Sequence, residues 1–300
     1  MQLAVALLAA ALAAAAPADA AVFDAGAEHN RFIVTFSIVP DPFNMFAFFD
    51  MPRTTEAARK DHFAQEATRD ADATTVWCRY RDYRVCVLFD GQGSVAGIQV
   101  SVTLQVRASE IEQAAVPKSV IGGPEWYRQT LLGEDVYTAT AFFVPKATLT
   151  SGGRAPLTDK DPTAPDGVYI LQTDASGAET GRLHVTVDET DAAAAGFTEQ
   201  ACFYGMGKHY FQELRPTGTC EAHRPYFLLY GPKTQKLNGL GFTMFGKPSK
   251  DGRGWFEAPS SSVAKKIAPN SPDCMTKWID QYGLFTLHVY FVGKPFFTRC

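Results

Sequence analysis

From residue 84 to residue 292 the chain is a succession of short apolar runs, each closed by a cluster of Gly, Asp, Ser or Asn. Val85–Asp90 and Ile98–Val106 flank the turn-rich Gly91–Gly97, and Tyr169–Thr173 and Arg182–Val187 flank Asp174–Gly181. Phe227–Tyr230 with Leu240–Phe245 makes a third such pair, and Phe285–Val292 closes the series. Runs of this length joined by so few residues leave no room for the crossover that parallel strands need, so they read as antiparallel hairpins. Helical signals are few. Residues 54–70 open on threonine caps and form at best a polar surface helix, while 108–116 and 272–282 are short helix candidates. A 46% hydrophobic fraction supplies a core, and 12% aromatic residues exclude a disordered chain. The expected fold class is α+β, mainly antiparallel β.

Three blocks recur in the same order. Arg31–Phe36 aligns with Arg182–Val187, Arg84–Gly91 with Pro225–Gly231 after a one-residue shift, and Tyr137–Pro145 with Phe285–Val292. The pattern predicts two related units from an internal duplication. Between them, 150–167 holds Pro156, Pro162 and Pro165 among glycines and charges, the composition of a linker or exposed loop. The expected organisation is a signal peptide over 1–20, a first unit over 21–149, the connecting segment, and a second unit over 168–300.

The leader is the argument for address. Leu3–Ala16 has the length of a signal-peptide apolar region, and Ala18-Asp19-Ala20 offers small residues where a peptidase cuts. Six cysteines (Cys78, Cys86, Cys202, Cys220, Cys274 and Cys300) then fit an oxidising compartment. Sequence proximity favours three local bridges, Cys78–Cys86, Cys202–Cys220 and Cys274–Cys300. The expectation is a secreted or secretory-lumen protein with no membrane contact after leader removal.

With 28 Lys+Arg against 32 Asp+Glu, the net charge of −4 offers phosphate backbones no basic face, so nucleic acid is not an expected partner. The G-x4-G-K spacing at Gly241–Lys247 is followed by Pro248 where a phosphate loop needs Ser or Thr, and its interior is a strand-like run. There is no G-x-S-x-G elbow and no H-E-x-x-H. The Ser260–Ser262 run reads as a loop.

The densest unusual segment is Cys202–Phe211, where Gly205 and Gly207 frame Met206 and His209 follows. An anchored, aromatic-rich turn of this kind presents a ligand or catalytic group well. In Phe285–Phe291, period-2 alternation puts Thr286, His288 and Tyr290 on one face. The functional expectation is that His209 and His288 converge, as ligands of one divalent metal ion or as a catalytic base and its partner. Tyr204, Met206, Tyr210 and Tyr290 would contact a small ligand, and Glu213, His223, Glu257 and Asp280 are candidate third groups. The plainer reading is that each histidine is a satisfied polar residue of a β-rich core. His29, His62 and His184 carry no such signal.

Gly205-Met206-Gly207-Lys208-His209-Tyr210, Arg224–Tyr230, Leu237–Gly239 and Leu287-His288-Val289-Tyr290 resemble, in order, motifs of a family of exported bacterial proteins of unknown function. That family has G-M-G-x-H-Y, R-P-x-x-L-L-Y and a late L-H-V-W; here Tyr290 stands in place of the Trp. The resemblance covers roughly residues 200–292 and implies that His209 and His288 are recurring polar positions. The leading functional expectation is a secreted binder of a small ligand or metal ion. A secreted hydrolase or lyase with His209 as general base and an extracellular protein-interaction module are the alternatives.

Overall fold

The computed structural model describes residues 28–36, 48–103, 123–247 and 252–300. The expected leader and the helix candidate at 108–116 lie outside the described residues. Strands β1 (Ile33–Val34) and β2 (Phe49–Asp50) are followed by helix α1 (Thr55–Lys60) and then by β3 (Phe63–Arg69), β4 (Thr74–Arg79), β5 (Asp82–Phe89) and β6 (Val95–Thr103). After β7 (Tyr127–Leu131) come β8 (Glu134–Phe142), α2 (Lys146–Thr150), β9 (Val168–Thr173) and β10 (Glu179–Val185). The remainder comprises β11 (Phe197–Phe203), β12 (Gly207–Gln212), β13 (Tyr226–Tyr230), β14 (Leu237–Phe245), α3 (Ser261–Ile267), α4 (Cys274–Tyr282) and β15 (Leu284–Tyr290).

These strands build two antiparallel sheets. The first runs β10-β9-β8-β6-β5-β4-β3 with β7 on β8, and the second β11-β12-β13-β14-β15-β1-β2. The expected antiparallel, mainly β character is what the structure has. The sheets pack face to face through one core. Val85, Val87, Ile98, Val100 and Ala141 of the first meet Tyr226, Leu228, Leu240, Phe242, Leu287 and Val289 of the second. Phe143 makes edge-to-face contacts with Phe32 (centroids 5.4 Å apart) and Phe291 (5.2 Å). The Tyr226 hydroxyl satisfies itself across the interface by donating to the carbonyl of Thr140, 3.1 Å away. Alternation explains the register: Tyr226, Leu228 and Tyr230 point to this core, while Phe227 and Leu229 belong to a second apolar cluster on the outer face of sheet two.

Each sheet contains a five-strand meander in the same spatial order, β3-β4-β5-β6-β8 and β11-β12-β13-β14-β15. Two of the three recurring sequence blocks fall on corresponding strands, β5 with β13 and β8 with β15. The third does not, because Ile33–Val34 pairs directly with β15 whereas β10 is an edge strand separated from β8 by β9. From β3 onward the sheets divide the chain after β10, with β1 and β2 belonging to sheet two, so residues 150–167 lie between paired strands of sheet one. That segment is mostly exposed but tethered: the Arg154 guanidinium donates to the carbonyls of Val95 and Thr163, and Arg154 N–H to Asp90 (2.9 Å). Burial lowers the Arg154 pKa to about 10.

Three expectations are corrected. The helix expected over 54–70 stops at Lys60, and Phe63–Arg69 is the edge strand β3. Ser260 is not in a loop run but caps α3, its hydroxyl accepting from Val263 N–H at 3.4 Å. Cys78–Cys86 forms as expected, on facing residues of β4 and β5, but the other bridges are Cys202–Cys300 and Cys220–Cys274. The reason is spatial. The chain near residue 300 returns to the end of β11 and the turn after it, where Gly205 N–H donates to the carbonyl of Thr298 (2.9 Å), and α4 begins beside the turn that holds Cys220. All six cysteines are thus paired. Among the described residues no helix is long and apolar enough to cross a membrane.

Candidate functional site

The outer face of sheet two carries the histidines. On β12, alternation turns Tyr210 inward, where its hydroxyl donates to Glu189 (2.7 Å), and turns His209 and Phe211 outward. On β15 the outward residues are Thr286, His288 and Tyr290. Strands β13 and β14 lie between the two histidines, yet their ring centroids are only 6.0 Å apart. Glycine at 241, opposite both Phe227 and His288, makes the approach possible. A Cβ there would fall 1.9 Å from the Phe227 ring, so the ring occupies the space that the missing side chain leaves. Phe227 then contacts both imidazoles, with centroids 5.6 Å from His209 and 4.9 Å from His288.

Over this surface lies a cavity of about 310 Å³. Its walls include Phe36, Met206 and Phe211, and helix α3 contributes Val263, Ala264 and Ile267. The Cys220–Cys274 bridge ties the start of α4, the partner of α3, to the turn before β13. Glu257 lies alongside β15 just past the end of β1. It exchanges two backbone hydrogen bonds with Thr286, both 2.9 Å, and so enters the cavity wall at a fixed register.

Polar groups in the cavity are arranged unevenly. The Glu257 carboxylate accepts from Phe36 N–H (2.6 Å) and from the Thr286 hydroxyl (2.7 Å). It also stands 3.2 Å from Nδ1 of His288, a charge contact outside hydrogen-bond alignment. His209 and His288 are 1% and 4% exposed; their ring nitrogens make no well-aligned hydrogen bond, and the backbone of Ala201 and Gly207 is what lies near enough to His209 to bond it weakly. Burial, reinforced by His288 nearby, lowers the His209 pKa to about 3, so this ring is neutral at physiological pH. His223, also in the lining, is satisfied: its Nε2–H donates to the Thr243 carbonyl (2.9 Å), and burial lowers its pKa.

The structure thus brings together His209, His288, Met206, His223 and Glu257. It does not bring the rest. Tyr210 faces the inter-sheet core, and Tyr204 is exposed against Phe296. Tyr290 stacks on His288 (5.9 Å), fully buried outside the cavity lining and with an unpartnered hydroxyl. Glu213 pairs with Arg224 (3.8 Å), and Asp280 is exposed. His29, His62 and His184 lie elsewhere, His184 stacked on Tyr169 and bonded to the carbonyl of Asp166. Among the described residues no group of three or more His, Cys, Asp or Glu side chains is disposed to hold a metal ion. Sequence reasoning missed Phe36, Thr243, Ser260 and Val263. Only Thr243 had a readable signal, two residues from Gly241 on the same strand face.

Compared with known proteins, the chain matches no family model, no curated protein and no solved structure.

Proposed function

We propose that the protein is a secreted, disulfide-stabilised binder of a small and mainly apolar molecule, held in the cavity on the outer face of sheet two. The carrying observation is one cavity of ligand size whose apolar walls contain two buried imidazoles without a well-aligned hydrogen bond. Buried polar groups are ordinarily satisfied, so two poorly bonded imidazoles beside a cavity are groups that a bound molecule would complete. Paired cysteines support the secretory address. The resemblance to exported bacterial proteins belongs to this proposal, since its histidine-bearing motifs fall on β12 and β15, both at the cavity.

Catalysis is the second reading, favoured by the Glu257–His288 contact. Any base role passes from His209 to His288, because a ring with pKa about 3 is a poor proton acceptor at neutral pH. For an interaction module, the only exposed large hydrophobic residues among those described are Tyr80 and Tyr204, on different sheets.

Titration of the oxidised protein with n-butylbenzene, followed by calorimetry, tests the reading. One-site binding that disappears in Ala264→Phe, a variant that fills the cavity, is the expected result. Undiminished binding in a folded Ala264→Phe protein would place the site elsewhere.

A further inference from the structure

The net charge of −4 hides a cationic surface on sheet one, at the β4–β5 hairpin. Arg79 pairs with Asp82, so the hairpin turns on Tyr80-Arg81 alone. Both lie in the left-handed region (φ 48° and 61°), where two-residue turns ordinarily place Asn and Gly. A Tyr and an Arg there cost backbone energy, and the Cys78–Cys86 bridge staples the two strands behind them. His62, also left-handed (φ 62°), stacks on Tyr80 with centroids 4.8 Å apart, and the Tyr80 N–H donates to the His62 carbonyl (3.1 Å). What the strained turn holds in place is an exposed tip: Tyr80 is 63% exposed, and Arg81 is exposed beside it.

Around this tip, guanidinium groups rest on aromatic faces. Arg79 lies over Tyr80 (4.3 Å), Arg59 over Trp77 (5.0 Å) and Arg253 over Phe49 (4.6 Å). An aromatic face orients a guanidinium and supports its charge without cancelling it. Asp61 is shared by Arg79 (3.1 Å) and Arg253 (3.7 Å). Burial and the neighbouring Arg79 lower the Arg253 pKa, as crowded cations do. Arg59 and Arg81 are exposed and have no ion pair among the described residues. Lys60 and Arg84 are matched by Glu56 and Asp82. Four guanidiniums set against Asp61 therefore leave an excess of three positive charges in a chain that is acidic as a whole.

The surface offers charge and hydrogen bonds without an apolar anchor. Tyr80 is the one exposed large hydrophobic residue of sheet one among those described, and its ring is engaged by Arg79 and His62. A membrane or a folded partner protein needs apolar surface to bury. A guanidinium edge instead matches an oxyanion, carboxylate or sulfate, through two parallel hydrogen bonds. Paired cysteines fit an oxidising compartment, where acidic polysaccharides repeat such groups along extended, hydroxyl-rich chains. We propose that the β4–β5 tip and Arg59 form a docking surface for an acidic polysaccharide, whose anionic groups meet Arg59, Arg79, Arg81 and Arg253.

Fluorescence anisotropy with labelled heparin and labelled polygalacturonate, on the intact oxidised protein, is the experiment. At low salt at least one should bind, and the tighter of the two identifies sulfate or carboxylate as the preferred group. Affinity should fall as salt rises, because each contact releases counterions. Arg59→Ala/Arg81→Ala should weaken binding about tenfold and reduce the salt slope by roughly two. Both side chains are exposed, so this variant tests the surface and not the fold. No binding of either polysaccharide at low salt, or undiminished binding in the double variant, would overturn the proposal. So would tighter binding of poly-glutamate, oligothymidylate or phosphatidylglycerol vesicles, which would assign the surface to an acidic peptide, a nucleic acid or a membrane. Binding of n-butylbenzene at the cavity is independent of either result.

Discussion

Gly241 and Phe227 face each other across the β13–β14 ladder, and the aromatic ring fills the volume that a side chain on the glycine would need. The arrangement lets imidazoles from β12 and β15 meet over two intervening strands. Gly241→Ala should therefore act twice. Forcing a Cβ to within 1.9 Å of the ring displaces Phe227. Overpacking of this kind typically costs about 1–3 kcal/mol, and urea denaturation should read a loss of that size. The displaced ring should also weaken n-butylbenzene binding at the cavity.

His209 links the site to pH. Its folded pKa of about 3 lies below the ordinary histidine value of 6.5, so between those values the unfolded chain binds more protons than the native one. Stability from this group is fully present above about 6.5 and is lost as pH falls toward 3. The shift corresponds to a few kcal/mol, on the order of 5 at most. His209→Phe should flatten this part of the pH–stability curve. At pH 7 it should be no less stable than wild type, because it removes a buried ring whose nitrogens make no well-aligned hydrogen bond. Denaturation midpoints from pH 3 to 8 check both statements, and an unchanged slope would refute them.

Glu257 holds two donors and positions one imidazole. Glu257→Ala strands the Phe36 N–H and the Thr286 hydroxyl near a buried wall, a loss of about 2–3 kcal/mol. Glu257→Gln keeps an acceptor oxygen and should recover at least half of that stability. Thermal melts of the two variants beside wild type give the comparison.

The bridges differ in the loops they close. Cys202–Cys300 spans 98 residues and Cys78–Cys86 only 8. Chain-entropy reasoning assigns about 4–5 kcal/mol to the long closure and about 2–3 to the short one. The Cys202→Ser/Cys300→Ser double variant should thus lose more stability than Cys78→Ser/Cys86→Ser. Non-reducing peptide mapping should recover Cys202 linked to Cys300 and Cys220 linked to Cys274.

Much of the sheet architecture was legible because apolar hairpins announce themselves. Phe227–Tyr230, Leu240–Phe245 and Phe285–Val292 all became strands where their composition placed them. The face shared by Thr286 and His288 followed from period 2 alone. The same rule should have turned Tyr210 away from His209, its neighbour in sequence. Residues 63–69 misled because Ala64, Gln65, Glu66 and Ala67 have helical propensity, and an edge strand with exposed positions shows no clean alternation. Cysteine partners were not legible beyond Cys78–Cys86, since chain proximity says nothing about a segment that folds back from residue 300 to residue 202. Nor was Phe36 as a cavity wall, because its place depends on a strand pairing between the two ends of the described chain.

That pairing also sets an order of events during synthesis. Ile33 and Val34 sit between β15 and β2, so the β1–β2 pair finds its place in sheet two only when residues 284–290 have emerged. Sheet one, a meander of neighbours from 63 to 185, has no such dependence and can assemble as it appears. A nascent chain halted before β15 would hold a finished first sheet, an open edge at β14 and a β1–β2 pair joined to neither sheet. The two histidine strands therefore come together only once residues 284–290 have been made, and any molecule held beside them enters a site that the sheet's first four strands do not yet provide.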